Sequence, residues 1–162
     1  MAQGEGGPEQ EDNGEVEAHR LGAHKVVVLL DSNTLILMAS GRIAPSMILE
    51  AINSSFKPAT TSTVVAELRG LAEIHRTRLL GRRAQTALRL LQQMGVEVIE
   101  TESRDADDSL EEAAEKLKVE GAKVYVATSD RSLRRRLRRR GVPTIYYRSS
   151  EARLEADWWD DL

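Results

Sequence analysis

The chain has 162 residues, 30% of them charged, and a net charge of -3, which gives room for one domain with a sizeable core and not for two. It has no cysteine, so disulfides, zinc ribbons and thiol nucleophiles are excluded, and any metal must be held by oxygen or histidine. The charge is unevenly spread: both ends are acidic, whereas residues 25–150 hold 21 Lys and Arg against 15 Asp and Glu, a surplus that favours a polyanionic partner.

Residues 1–24 combine glycines and acids with few apolar side chains to offset the entropy of ordering, so a disordered acidic tail is expected. The apolar run Val26 to Leu30 is far too short to span a bilayer, and the first residues lack the basic and apolar regions of a signal peptide. A cytoplasmic protein is the expectation.

Residues 25–30 read as a buried strand, and Asp31, Ser32 and Asn33 are good cap residues for a helix over 34–39. Gly41 breaks that helix, Pro45 suits the start of another reaching 53, and residues 57–61 form a short second strand. Ser62 or Thr63 is placed to cap a helix whose face is Val64, Val65, Leu68, Leu71 and Ala72. A second amphipathic helix covers 79–94 and stops at Gly95, before a third strand over 96–99. Leu110, Ala113, Ala114 and Leu117 recur at helical spacing up to Gly121, and residues 123–127 make the fourth strand. Asp130 opens a short helix with Leu133 and Leu137 inside, and residues 143–147 make the fifth strand. Residues 151–162 read as an acidic tail carrying Trp158 and Trp159.

Strands alternating with helices predict a three-layer α/β/α sandwich around a five-stranded parallel sheet, because right-handed crossovers cover both faces. Ligands in such sheets sit at the carboxyl edge of the strands. Asp31 follows the first strand, Glu67 lies early in the helix after the second, Asp108 precedes the helix after the third, and Asp130 closely follows the fourth. All four belong at that edge. At about 100° per residue Glu67 flanks the apolar stripe and can reach inward, whereas Glu73 points away.

Each Asp has a plainer explanation as a helix cap, and Asp108 with Glu111 has the spacing of a capping box. Capping gives no reason for convergence, however, and carboxylates gathered on one edge repel each other until a cation coordinates them. Oxygen donors suit Mg²⁺ or Mn²⁺, and His19, His24 and His75 are too scattered to form a zinc pair. Asp107 and Asp105 compete with Asp108 for the third position. Thr128 and Ser129 are placed to hydrogen-bond a neighbouring carboxylate or a phosphate, or to cap the next helix.

The motifs Leu30-Asp31-Ser32-Asn33, Val65-Ala66-Glu67-Leu68, Ala106-Asp107-Asp108-Ser109-Leu110 and Val126-Ala127-Thr128-Ser129-Asp130 resemble those of the PIN-domain nucleases. The last two, with the run from Asp130 to Pro143, look most like the branch that processes small-subunit ribosomal RNA. The likeness spans roughly residues 25–148, within a PIN-like unit over 25–150. Toxins of the VapBC type, paired with an antitoxin, share the acids but less of this context. The resemblance implies Mg²⁺- or Mn²⁺-dependent hydrolysis of RNA phosphodiesters, leaving 5′-phosphate and 3′-hydroxyl ends. It gives Asp31, Glu67, Asp108 and Asp130 as catalytic metal ligands with Asp107 auxiliary, and Asn33, Thr128 and Ser129 as orienting groups.

Seven Arg fall between Arg131 and Arg140, interrupted by Leu133 and Leu137, so one seam is apolar and the rest of the helix positive. Beside the acid cluster this favours RNA phosphate contacts by Arg131, Arg134, Arg135, Arg138 and Arg139 over a merely solvated helix. A receiver domain would need an Asp after the third strand and a Lys after the fifth, where Glu100 or Thr101 and Arg148 stand. A phosphate-binding Gly-Lys-Ser/Thr loop is absent from the sequence. A non-catalytic RNA-binding assembly factor is the remaining rival. Candidate partners are RNA, a ribosome-assembly factor or antitoxin, and a second copy in a homodimer.

Overall fold

The computed structural model describes residues 26–157; the expected N-terminal tail, His19, His24, Trp158 and Trp159 lie outside them. Apolar runs alternate with amphipathic ones, and the elements follow that alternation. Strand β1 (Val26–Leu30) leads to α1 (Ser32–Ala39) and α2 (Pro45–Ile52), and β2 (Lys57–Thr61) to α3 (Ser62–Ile74) and α4 (Leu79–Gln93). Strand β3 (Glu97–Ile99) leads to α5 (Ala106–Val119), β4 (Lys123–Ala127) to α6 (Arg131–Arg139), and β5 (Thr144–Arg148) to β6 (Arg153–Ala156).

The strands lie in the order β3-β2-β1-β4-β5-β6. The first five are parallel, whereas β6 pairs antiparallel with β5. The expected five-stranded parallel sheet is thus corrected to a mixed sheet of six, and part of the expected C-terminal tail is an edge strand. That strand has four residues and one buried side chain, Leu154. An edge hairpin of that length needs no apolar run, so periodicity does not reveal it.

Val27 to Leu30 and Val124 to Ala127 are buried in succession, which requires cover on both faces of the sheet. Leu133 and Leu137 of α6 are fully buried, each contributing roughly 1.5–3 kcal/mol by leaving water. Helices α3 and α4 meet closely at Gly81, where a Cβ would stand 2.0 Å from the His75 carbonyl oxygen. Only a glycine lets the backbones approach so far.

The first strand lies at the centre of the sheet, and the chain then moves outward through β2 and β3 before it crosses back to β4. Strand order therefore reverses between β1 and β4, and a crevice opens there at their carboxyl ends. The register pairs Leu30 with Ala127, and the Asp31 amide donates to the Ala127 carbonyl at 3.2 Å. Asp31 and Thr128 consequently emerge side by side. Among the described residues no helix is long and apolar enough to cross a membrane.

Candidate active site

A cleft of about 360 Å³ occupies that crevice, lined by Asp31, Asn33, Glu67, Asp107, Ser129 and Asp130 together with Ser32, Ala106 and Leu110. Its acids come from four separate crossovers. Two of them do cap helices: Asp31 accepts the Thr34 amide at 2.7 Å and Asp130 the Leu133 amide at 2.8 Å. Capping and convergence therefore coexist, because a carboxylate has a second oxygen left to face the cleft.

Thr128 is fully buried and does not reach the cleft surface. Its hydroxyl bonds the Asp31 carboxylate and accepts the Asp130 amide at 3.2 Å. Of the roles open to it in the sequence, the bond to a neighbouring carboxylate is the one it makes, and it ties the two central acids together. Ser129 does line the cleft, with its hydroxyl accepting the Tyr147 amide at 3.2 Å. Glu67 is exposed and accepts the Ser32 hydroxyl at 2.6 Å, so Ser32 orients a cleft acid. Sequence reasoning treated Ser32 only as a cap residue, because its partner lies 35 positions away.

Asp107 rather than Asp108 faces the cleft, which reverses the order expected for the third position. The N-cap of α5 is Asp105, whose carboxylate accepts the Asp107 amide at 3.1 Å. That start sets the helical phase: Asp107 turns inward, and Asp108, about 100° further round, turns away. Asp108 is 53% exposed and pairs with Arg136, which also binds Glu111. Glu111 in turn pairs with Arg140 at 2.8 Å, so Asp108 and Glu111 clamp α6 to α5 instead of forming a capping box.

Helix α3 is capped by Thr61 rather than by Ser62 or Thr63, and this cap links it to α5. The Val64 amide donates to the Thr61 hydroxyl at 3.1 Å, which lies 2.7 Å from the Ser109 hydroxyl, which donates to the Ala106 carbonyl at 2.7 Å. Thr61 and Ser109 are both fully buried. This chain holds together the first turns of the helices that carry Glu67 and Asp107. Ser109→Ala would leave the Thr61 proton without an acceptor in the interior, at a cost of about 1–3 kcal/mol. A urea midpoint equal to wild type would refute that role.

Burial raises the Asp31 carboxyl above its ordinary value, against the bonds from Thr128 and Thr34. Asp107 is raised as well, first by burial and then by the charges of Asp130, Asp105 and Asp31. These carboxylates therefore share a field that an opposite charge would relieve. Among the described residues no three acids stand close enough to form a ready-made metal cage. The donor set is nonetheless all oxygen on one cleft, which fits a hard divalent cation that draws the side chains together.

The fold and cleft define an α/β protein with an acidic site at the topological switch point of its sheet. The PIN-like domain family matches residues 28–150, and the chain belongs to that family. Among solved structures, the PIN domain endonuclease Utp24 aligns with a TM-score of 0.61 at 23% identity, over 81% of this chain and 90% of its own. That likeness is one of fold. A comparison with curated protein sequences finds no match.

Proposed function

We propose that this chain is an endoribonuclease dependent on Mg²⁺ or Mn²⁺ and acts in the processing of small-subunit ribosomal RNA. The carrying observation is the convergence of Asp31, Glu67, Asp107 and Asp130 on one cleft from four crossovers. Membership of the PIN-like family, the fold shared with a PIN domain endonuclease and the motif likeness to the rRNA-processing branch support the reading.

A cation held there would supply an activated water and offset the charge that builds on the phosphate and leaving oxygen. Asp31, whose carboxylate Thr128 bonds, and Asp130 would hold it together with Asp107 and Glu67. Asn33 and Ser129, which also line the cleft, would orient the phosphodiester. The Ser32 hydroxyl is committed to Glu67 and the Ser129 hydroxyl accepts the Tyr147 amide, so water is the nucleophile in this reading. The products would carry 5′-phosphate and 3′-hydroxyl ends.

The capping roles of Asp31 and Asp130 favour one rival, a non-catalytic RNA-binding assembly factor in which the acids serve the fold alone. Incubation of structured and single-stranded RNA with Mg²⁺, Mn²⁺ or a chelator separates the two. Cleavage with either cation, stopped by the chelator and absent in Asp130→Asn, is expected. Intact RNA under every condition would replace this reading with the rival, and cleavage indifferent to chelator would overturn the metal dependence.

A further inference from the structure

The arginines of residues 131–140 divide into two sets once their partners are traced. Arg134 lies 3.5 Å over the Tyr146 ring, bonds the Thr144 hydroxyl at 3.1 Å and comes within 3.9 Å of Asp157. Arg136 joins Asp108 and Glu111, Arg138 approaches Asp157 at 4.0 Å, and Arg140 joins Glu111 and Glu115. These four hold α6 against α5, β5 and the residue after β6. Arg134, expected from sequence to contact RNA, is thus a packing residue, and Arg138 is shared with Asp157.

Arg131, Arg135 and Arg139 are exposed, and among the described residues none of them has an acidic partner. They recur at every fourth position, so they stand in one row on the helix, about 6 Å apart along its axis. Like charges at this spacing repel and weaken a helix, and among the described residues no acid relieves them. The row starts one residue after Asp130, at the mouth of the cleft. A ligand that relieves it must carry negative charge repeated at short, regular intervals, which is the chemistry of a sugar-phosphate strand.

Resting on the reading of the cleft as a nuclease site, we infer that Arg131, Arg135 and Arg139 form a track for the backbone of one RNA strand entering or leaving the cleft along α6. The other four arginines keep the helix in place. The track reads charge and spacing rather than bases, since Arg–phosphate contacts position a strand without reporting its sequence.

The test measures binding of a fluorescent single-stranded oligoribonucleotide of mixed sequence across a salt series, with chelator present to keep it intact. Three variants are compared with wild type: Arg131, Arg135 and Arg139 all changed to Gln; the same three changed to Lys; and Arg42, Arg76 and Arg78, exposed elsewhere, changed to Gln. Loss of three phosphate contacts should make the log K against log salt slope shallower by about 2, at roughly 0.7 per contact for a single strand. Lys should restore most of the slope, and the distant triple should leave it as in wild type. An unchanged slope in the first variant, or an equal change in the distant one, overturns the track. Cleavage with an unchanged slope removes the track and keeps the nuclease reading; a shallower slope without cleavage does the reverse.

Discussion

Asp107→Asn is expected to slow metal-dependent RNA cleavage by about 100-fold, or ~2.7 kcal/mol of transition-state stabilisation, while Asp108→Asn stays within about threefold of wild type. The two acids are neighbours in sequence and equal in charge, so only orientation separates them. Asp107 lines the cleft and feels the charges of Asp130 and Asp31. Asp108 turns away from the cleft to Arg136 on α6. Amide substitution at Asp107 removes an anionic donor from the cation's surroundings, whereas at Asp108 it weakens an exposed ion pair whose arginine keeps Glu111. Exposed pairs of this kind are worth about 0.2–1 kcal/mol, so Asp108→Asn should appear as a small drop in stability. Initial rates with saturating Mn²⁺ decide the matter, and equal losses or the reverse order would refute the assignment.

Asp31→Asn should abolish cleavage and, in the metal-free protein, raise the melting temperature by a few degrees. The Asp31 carboxyl lies at the floor of the cleft between β1 and β4, and burial holds its pKa above the ordinary value. The folded chain therefore binds that proton more tightly than the unfolded chain. Stability falls as pH rises from the unfolded pKa through the raised folded one, and the penalty is fully present above both. Asparagine carries no charge and still caps a helix, so the Thr34 amide keeps its acceptor. The gain should be largest at neutral pH and vanish in acid, where wild-type Asp31 is itself neutral. A shift of a few degrees is what a change of this kind produces in a domain of this size. Saturating Mg²⁺ or Mn²⁺ should reverse the order, because cation binding stabilises the wild type alone. Melts in which the variant is less stable than wild type at neutral pH with chelator would sink this account.

Most crossovers were legible because they combine apolar runs with unambiguous punctuation. Val26 to Leu30 precedes three cap residues, and Gly121 and Gly141 end helices at positive φ, where a side chain would be strained. β6 was not legible. Its alternation is short, and its pairing with β5 rests on backbone bonds that any sequence can make. Glu67 lines the cleft on the flank that its helical phase indicates, because its apolar stripe is long enough to fix that phase. The phase of α5 is not legible in the sequence, because Asp105, Asp107 and Asp108 are all plausible caps and only the bond that the Asp105 carboxylate accepts from the Asp107 amide fixes where the helix begins.

What the sequence determined by itself is the α/β alternation and the delivery of acids to one sheet edge, since both follow from periodicity and chain order. Which acid turns inward, and which arginines remain unpaired, the tertiary structure alone decided. Each depends on contacts between residues distant in the chain: Arg136 on α6 reaching Asp108 on α5, Asp157 beyond β6 reaching Arg134 and Arg138, and Ser32 reaching Glu67. Local patterns set the direction of a side chain only to within a turn of helix. Partners supplied by packing then settle whether a charge serves the fold or faces a ligand.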